Sequence, residues 1–398
     1  MPQTSTSTRE TDLSTFINAS DLLVTSAEVD RLVDRLHACF AQGHRRLFFP
    51  DGLYELEATL RLPSGTHLKL AAGATLRLAT GAMHTCDDYL LCNADPVGGN
   101  QDITIEGGTI DGNQLGNPRP EGLFTEGYTG AMLHFENVRG LTLRELTLQN
   151  AEAYYSRYTN VQDFLIEDIR FDSDCIRHNN DGIHLGGNCS NGIIRRIRAE
   201  RPGVTGDDLV ALNADDAQQR NEVRGMQCGP IQNIQIESLF AHSCHSFVRL
   251  LSVVSPIRNI TITHLRGACS HCAINADGAR ICKVPVFDTA NPPTPDGVGL
   301  LADITISDVA VSKVASNGMA LIDLQERMQN LRIHDFQRVP KPGIAEDSPT
   351  LRIRFVRPKT IHIDGEETML EQSNDIDQVW EHRTDRITDA RFETEVAP

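Results

Sequence analysis

The chain has 398 residues, 40% of them hydrophobic, and a formal net charge of −17 at pH 7. That length allows one large domain or two or three ordinary ones. The acidic balance, with no block of Lys and Arg, argues against nucleic acid or a membrane surface as partner.

In chain order, the start MPQTSTSTRETDLSTF lacks a basic stretch leading into an apolar one. No apolar run approaches the roughly 20 residues that span a bilayer. With ten scattered cysteines, these features lead to the expectation of a soluble, reduced, cytoplasmic protein. The stretch TSAEVDRLVDRLHACFAQG predicts a helix. Thr25 and Glu28 form a capping box, and Val29, Leu32, Val33, Leu36 and Phe40 share one face. The segment from Arg46 to Ala79 reads as three short strands broken by PDG, PSG and AAGA turns.

A phrase then recurs. It is NQDITIEGGTI from Asn100, NVRGLTLRELTL from Asn137, NVQDFLIEDIRF from Asn160 and CSNGIIRRIRA from Cys189. It returns as PIQNIQIESLF from Pro230, PIRNITITHLR from Pro256, LLADITISDVA from Leu300 and MQNLRIHDFQ from Met328. Each copy is a polar turn, a strand of period-2 alternation, a short bend and a second strand. The first apolar residues are Ile103, Leu141, Phe164, Ile193, Ile234, Ile260, Ile304 and Leu331. No long helical patterns separate the copies, so they are not βαβ units. The repeat predicts an all-β parallel β-helix whose longer intervals carry insertions. The expected organisation is an N-terminal segment with a helix covering the first coil (1–44), the β-helix (45–365) and a charged, aperiodic tail (366–398).

Two short stretches carry the candidate chemistry, NNDGIHL (179–185) and GDDLVAL (206–212). If their strands stack about 4.8 Å apart, Asp181, Asp207 and Asp208 share one patch. Carboxylates that close cannot all ionise cheaply, so one keeps its proton. A protonated acid beside an ionised base is the pair that hydrolyses a glycosidic bond. The same tripeptides also suit plain Asx-turns, and the cluster suits Ca²⁺. NADD (213–216) reads as a turn beyond the strand. CSHC (269–272) has a zinc-like spacing around His271 but no second ligand pair, and buried cysteines on successive rungs account for it.

At these residues the chain resembles the polygalacturonases, glycoside hydrolase family 28, which are right-handed parallel β-helices. NND (Asn179–Asp181) stands where the family has NTD, and GDD (206–208) is intact. His245 stands where the family has a GHG or SHG tripeptide, and Arg280 where it has RIK. The resemblance runs over about residues 45 to 340. It implies Asp207 as general acid, with Asp181 and Asp208 activating water for an inverting displacement. His245 would then hold the cluster, and Arg280, with Asn179, would bind substrate. The family's lysine falls at Cys282, with Lys283 one residue on, and Ser246 replaces the glycine after the histidine. Arg249, four residues after His245, is a compensating cation.

The expected activity is a glycosidase acting on an α-linked, galacturonate-containing oligo- or polysaccharide, with no cofactor and no metal. Alternatives are a Ca²⁺-dependent polysaccharide lyase, a fructan-type glycosyl transferase, or a non-catalytic carbohydrate-binding β-helix. The sequence leaves the oligomeric state open.

Overall fold

The computed structural model describes residues 13–22, 31–120, 127–220, 225–282, 286, 294, 297–343, 348–356, 358–368 and 379–394. Across them the strands join in one continuous hydrogen-bonded system, parallel from the first coil to Met328–Arg338 and Leu351–Arg354. Successive coils of a parallel β-helix lie on one another in strict register. Ile103, Leu141 and Phe164 are level, and so are Ile234, Ile260, Ile304 and Leu331. The exception is the fourth copy. Gly192, not Ile193, lies level with Phe164 and Ile234. A Cβ at Gly192 would sit about 2.0 Å from the Phe164 ring, which fills the space a side chain there would need. Ile193 turns outward and is exposed.

The recurring Asn or Asp of each phrase is the corner of its coil. Asn137, Asn160, Asn191, Asn233, Asn259, Asp303 and Asn330 all have φ between 50° and 59°. These residue types tolerate that left-handed conformation best after glycine. Their side chains also stack. Asn233 Nδ2 donates to Asn191 Oδ1 at 2.9 Å, and Asn259 Nδ2 to Asn233 Oδ1 at 2.6 Å.

The ends differ in detail from the sequence expectation. The helix is Leu32–Ala41, entered from Arg31 without a side-chain cap. Thr25, Glu28 and Val29 lie outside the described residues. Leu32, Val33, Leu36 and Phe40 are buried in the core cluster. Residues 46–78 form five strands rather than three. Glu57, Ala58 and Thr59 break the chain with no Gly or Pro to announce it. In the charged C-terminal stretch, Val379–His382 and Arg386–Thr394 pair antiparallel with Leu351–Arg354 and Met328–Arg338.

Candidate active site

One run of short strands builds the site: Ile183–Leu185, Asp208–Asn213, Ser246–Leu251, Ile274–Ala276, Ile322–Leu324 and Leu351–Arg354. Their core-facing residues are apolar: Ile183, Val210, Val248, Ile274, Ile322 and Leu351 stand level, coil upon coil. The next residue on each strand forms a column that is polar but for Ala211, in order His184, Ala211, Arg249, Asn275, Asp323 and Arg352. The column continues backward through Arg157 and His134.

Beside this column lies a cavity of about 470 Å³. Asn179, Asp181, Asp207, Asp208, His245, Arg249 and Arg280 all line it. Lys283 lies outside the described residues. Ile183 is level with Val210, and the Gly182 N–H donates to the Asp208 carbonyl at 2.9 Å. Asp181 is therefore at the level of Asp208, with Asp207 one residue before. The glycines of the two motifs permit this approach. A Cβ on Gly182 would meet the Leu209 carbonyl at 2.6 Å, and one on Gly206 the Arg177 carbonyl at 2.1 Å. Asn180, where the family has threonine, is buried and donates to the Ala151 and Ala153 carbonyls. It anchors the turn that carries Asp181.

The three carboxylates have different surroundings. The Asp207 side chain is 27% exposed and lies 3.4 Å from His245 Nδ1. Asp208 is buried, and among the described residues its Oδ1 has no hydrogen-bond partner. Burial first, and then the charge of Asp207, pushes the Asp208 carboxyl well above the usual carboxylate range, although Arg249 at 4.0 Å pulls the other way. Burial thus resists the ionisation of Asp208. Such a raised group adds stability in acid and loses it as pH rises. Asp208→Asn should therefore raise the melting temperature at pH 8 by the equivalent of about 1–2 kcal/mol. The gain should vanish near pH 4. A variant melting at or below wild type at pH 8 would contradict the assignment.

Asp181 is held by a network that the sequence reading missed. His184 is 1% exposed; its Nδ1 lies 2.6 Å from Asp181 and its Nε2 is hydrogen-bonded to Asp216. Burial works against charge on this ring, but Asp216 and Asp181 outweigh it and hold the imidazole at about 9. Asp216 in turn accepts from Asn213 Nδ2 at 3.1 Å. NADD is thus more than a turn. Its Asp215 accepts three backbone N–H groups, from Val253, Val254 and Ser255, while Asp216 reaches the site.

On the other side, Arg249 is not a surface arginine. Its side chain is 14% exposed and forks onto Asp277 through Nε at 2.9 Å and Nη2 at 3.2 Å. Arg280, on the short helix Gly278–Ile281, meets the same Asp277 and remains 60% exposed at the cavity. Burial alone would raise Asp277, but Arg249 and Arg280 hold it ionised and below the usual range. His271 stacks on His245 at 4.6 Å, and burial and that neighbour push it down to about 4. The flanking Cys269 and Cys272 are buried, and Cys269 lies level with Cys244. His271, singled out earlier only as part of a metal spacing, instead lines the cavity.

The cavity meets a wall toward the N-terminal coils. Tyr154 lines it and packs with Tyr89, Ala131 and Met226. Behind them Arg157 and His134 of the polar column are buried, with the Arg157 guanidinium 5.9 Å from the Tyr89 ring centre and 5.7 Å from that of Tyr154.

The family described as glycosyl hydrolases family 28 matches residues 72–255. That span includes both aspartate motifs, His245 and Arg249 and ends before Arg280. An exopolygalacturonase of Arabidopsis thaliana is 26% identical over 185 residues, which are 46% of this chain and 34% of that protein. The match thus spans about a third of that relative's own length. Among solved structures, a surface adhesin of Streptococcus pneumoniae superposes with a TM-score of 0.53 at 11% identity, over 90% of this chain and 99% of the adhesin. A 1,3-alpha-1,4-beta-D-galactose-4-sulfate-3,6-anhydro-D-galactose-2-sulfate 4 galactohydrolase gives 0.50 at 13%, over 74% and 71%. At such identities these likenesses describe the fold alone.

Proposed function

We propose that this polygalacturonase-like chain is an inverting glycosidase that acts on α-linked, galacturonate-containing oligo- or polysaccharide. The observation that carries the reading is the gathering of Asp181, Asp207 and Asp208 in one cavity with His245, Arg249 and Arg280. In this reading Asp207, the carboxyl most open to the cavity, delivers a proton to the glycosidic oxygen. Asp207 enters the cycle protonated, its ionisation opposed by the neighbouring carboxylates. Asp181, fixed by His184, and Asp208 hold the water that attacks from the opposite face of the sugar. His245 accepts or donates at Asp207 and keeps it turned toward the cavity. Arg280 takes a carboxylate or hydroxyl by its fork geometry.

The wall at Tyr154 supports an exo mode, in agreement with the name of the Arabidopsis relative. The end of the sugar chain would abut Tyr154, and the rest would leave toward the C-terminal coils. The test is release of reducing ends from polygalacturonate and its oligomers. Monomer should appear from the first time points; an initial spread of longer products would reject the exo mode.

Asp207, Asp208 and His245 also bring ligand atoms within 4.8 Å of one another, as a lyase bound to Ca²⁺ would need. In the hydrolase reading, activity survives exhaustive chelation with EDTA. Loss on chelation with rescue by Ca²⁺, together with an unsaturated product absorbing in the ultraviolet, would transfer the site to the lyases.

A further inference from the structure

We propose that Gln325 and Arg354 form a distal subsite for a carboxylate-bearing sugar unit, so that the preferred substrate is an acidic chain longer than a disaccharide. The proposal rests on the glycosidase reading and adds the position at which chain length and charge are read. Neither residue falls in the span that matches the family, which ends at residue 255.

Both residues line the same cavity as the aspartates. Ala276, Leu324 and Ile353 stand level, at the last positions where these three strands pair with one another. The residues that follow them are Asp277, Gln325 and Arg354, which continue the stack one position further along. Asp277 holds Arg280, so Gln325 and Arg354 extend the wall that begins at Arg280. From the strand of Asp208 to that of Arg354 is four coils, roughly 19 Å. That is more than two pyranose rings laid end to end will cover.

The guanidinium of Arg354 is set in place by a buried partner. Nε lies 3.2 Å from Asp323 Oδ1 and Nη2 2.8 Å from Oδ2, while Asp323 is 0% exposed. The pair occupies one edge of the fork and leaves the Nη1 donors for another oxyanion. Arg352, which also approaches Asp323 at 4.0 Å, is engaged by Glu381 at 3.0 Å. Gln325 is 1% exposed, and among the described residues its Oε1 has no hydrogen-bond partner. A buried acceptor without a donor is destabilising. A sugar hydroxyl is a donor of the right size to satisfy it. Three arginines of the cavity (Arg249, Arg280 and Arg354) face two buried aspartates, Asp277 and Asp323, so this half of the cavity carries the positive charge an acidic chain needs.

The experiment compares kcat/KM on galacturonate dimer, trimer and tetramer for wild type, Arg354→Gln and the paired variant Arg354→Gln/Asp323→Asn, which leaves no lone buried carboxylate. The tetramer-to-dimer ratio should fall roughly 10- to 100-fold in both variants, through KM, the size of one charge-assisted contact. On fully methyl-esterified oligomers the same ratio should move less than about 2-fold, which is the signature of lost charge recognition. Equal losses on all lengths in the paired variant, or no change of the ratio, would overturn the subsite. If wild type hydrolyses none of these sugars, the glycosidase reading fails by itself. Titration of Asp207→Asn with tetramer then still decides the subsite. Binding weakened by a second substitution at Arg354 sustains it, and binding indifferent to Arg354 ends it.

Discussion

Asp207→Asn is expected to lower kcat on galacturonate oligomers by roughly 10²–10⁴-fold, the usual worth of a general acid. An aryl glycoside with a good leaving group, whose oxygen hardly needs a proton, should lose far less. In the proposed mechanism Asp208→Asn and Asp181→Asn leave the donor but weaken the hold on water, so they should harm both substrates alike. The contrast follows from position. Asp207 is the partly exposed carboxyl, 3.4 Å from His245, whereas Asp208 and Asp181 are buried. Asp208 is nonetheless the carboxyl whose ionisation burial resists. If Asp208→Asn, rather than Asp207→Asn, selectively spares the activated substrate, the delivering acid is Asp208 and the two aspartates exchange roles.

His184→Leu should be the most destabilising single change in the site. It leaves Asp181 and Asp216 buried with their shared cation gone, and breaking such a contact typically costs about 3–5 kcal/mol. The groups facing the ring are Asp181, Asp216 and Tyr154, the last edge-on at 4.8 Å, with Arg157 and Ala211 level on the adjoining strands. The folded-state value of about 9 lies above the ordinary 6.5, so the contribution of His184 is complete below pH 6.5 and is lost as pH rises through 9. Over that window wild type should lose about 3 kcal/mol. Urea unfolding at pH 6, 7.5 and 9 measures it. His184→Leu should lack this decline, and a wild type equally stable at pH 6 and 9 would refute the charged imidazole.

Much of this was legible because a β-helix repeats its constraints at every turn. The Asn and Asp that open each phrase mark corners that need a left-handed residue, and the alternating apolar residues mark the rungs. Ile193 misled because the true rung is a glycine, emptied by the ring of Phe164 on the coil before. The juxtaposition of Asp181, Asp207 and Asp208 was legible because all three lie at the heads of short strands that stack coil on coil. His184 and Asp216 were not. His184 sits in the strand itself, where an alternating polar residue reads as one more outward side chain. Asp216 reaches it only through the turn after Asn213. His271 was hidden between two cysteines, and only the stacking of coils sets it against His245. Arg354 gave no signal at all, since nothing in LRIR distinguishes an arginine that lines a cavity from one that meets water.

The stacked corners have a mechanical consequence. Each coil bonds to the coil before it and the coil after it, so the molecule behaves as a one-dimensional chain of nearest-neighbour contacts. In such a chain loosening starts at the termini and travels inward. The strands that follow Asp181 and Asp207 have several coils on either side. Unzipping from either end reaches them late, and hydrogen exchange should find their amides among the slowest in the protein. The aspartates crowd together at a cost, and they do so in the coils that fraying reaches last.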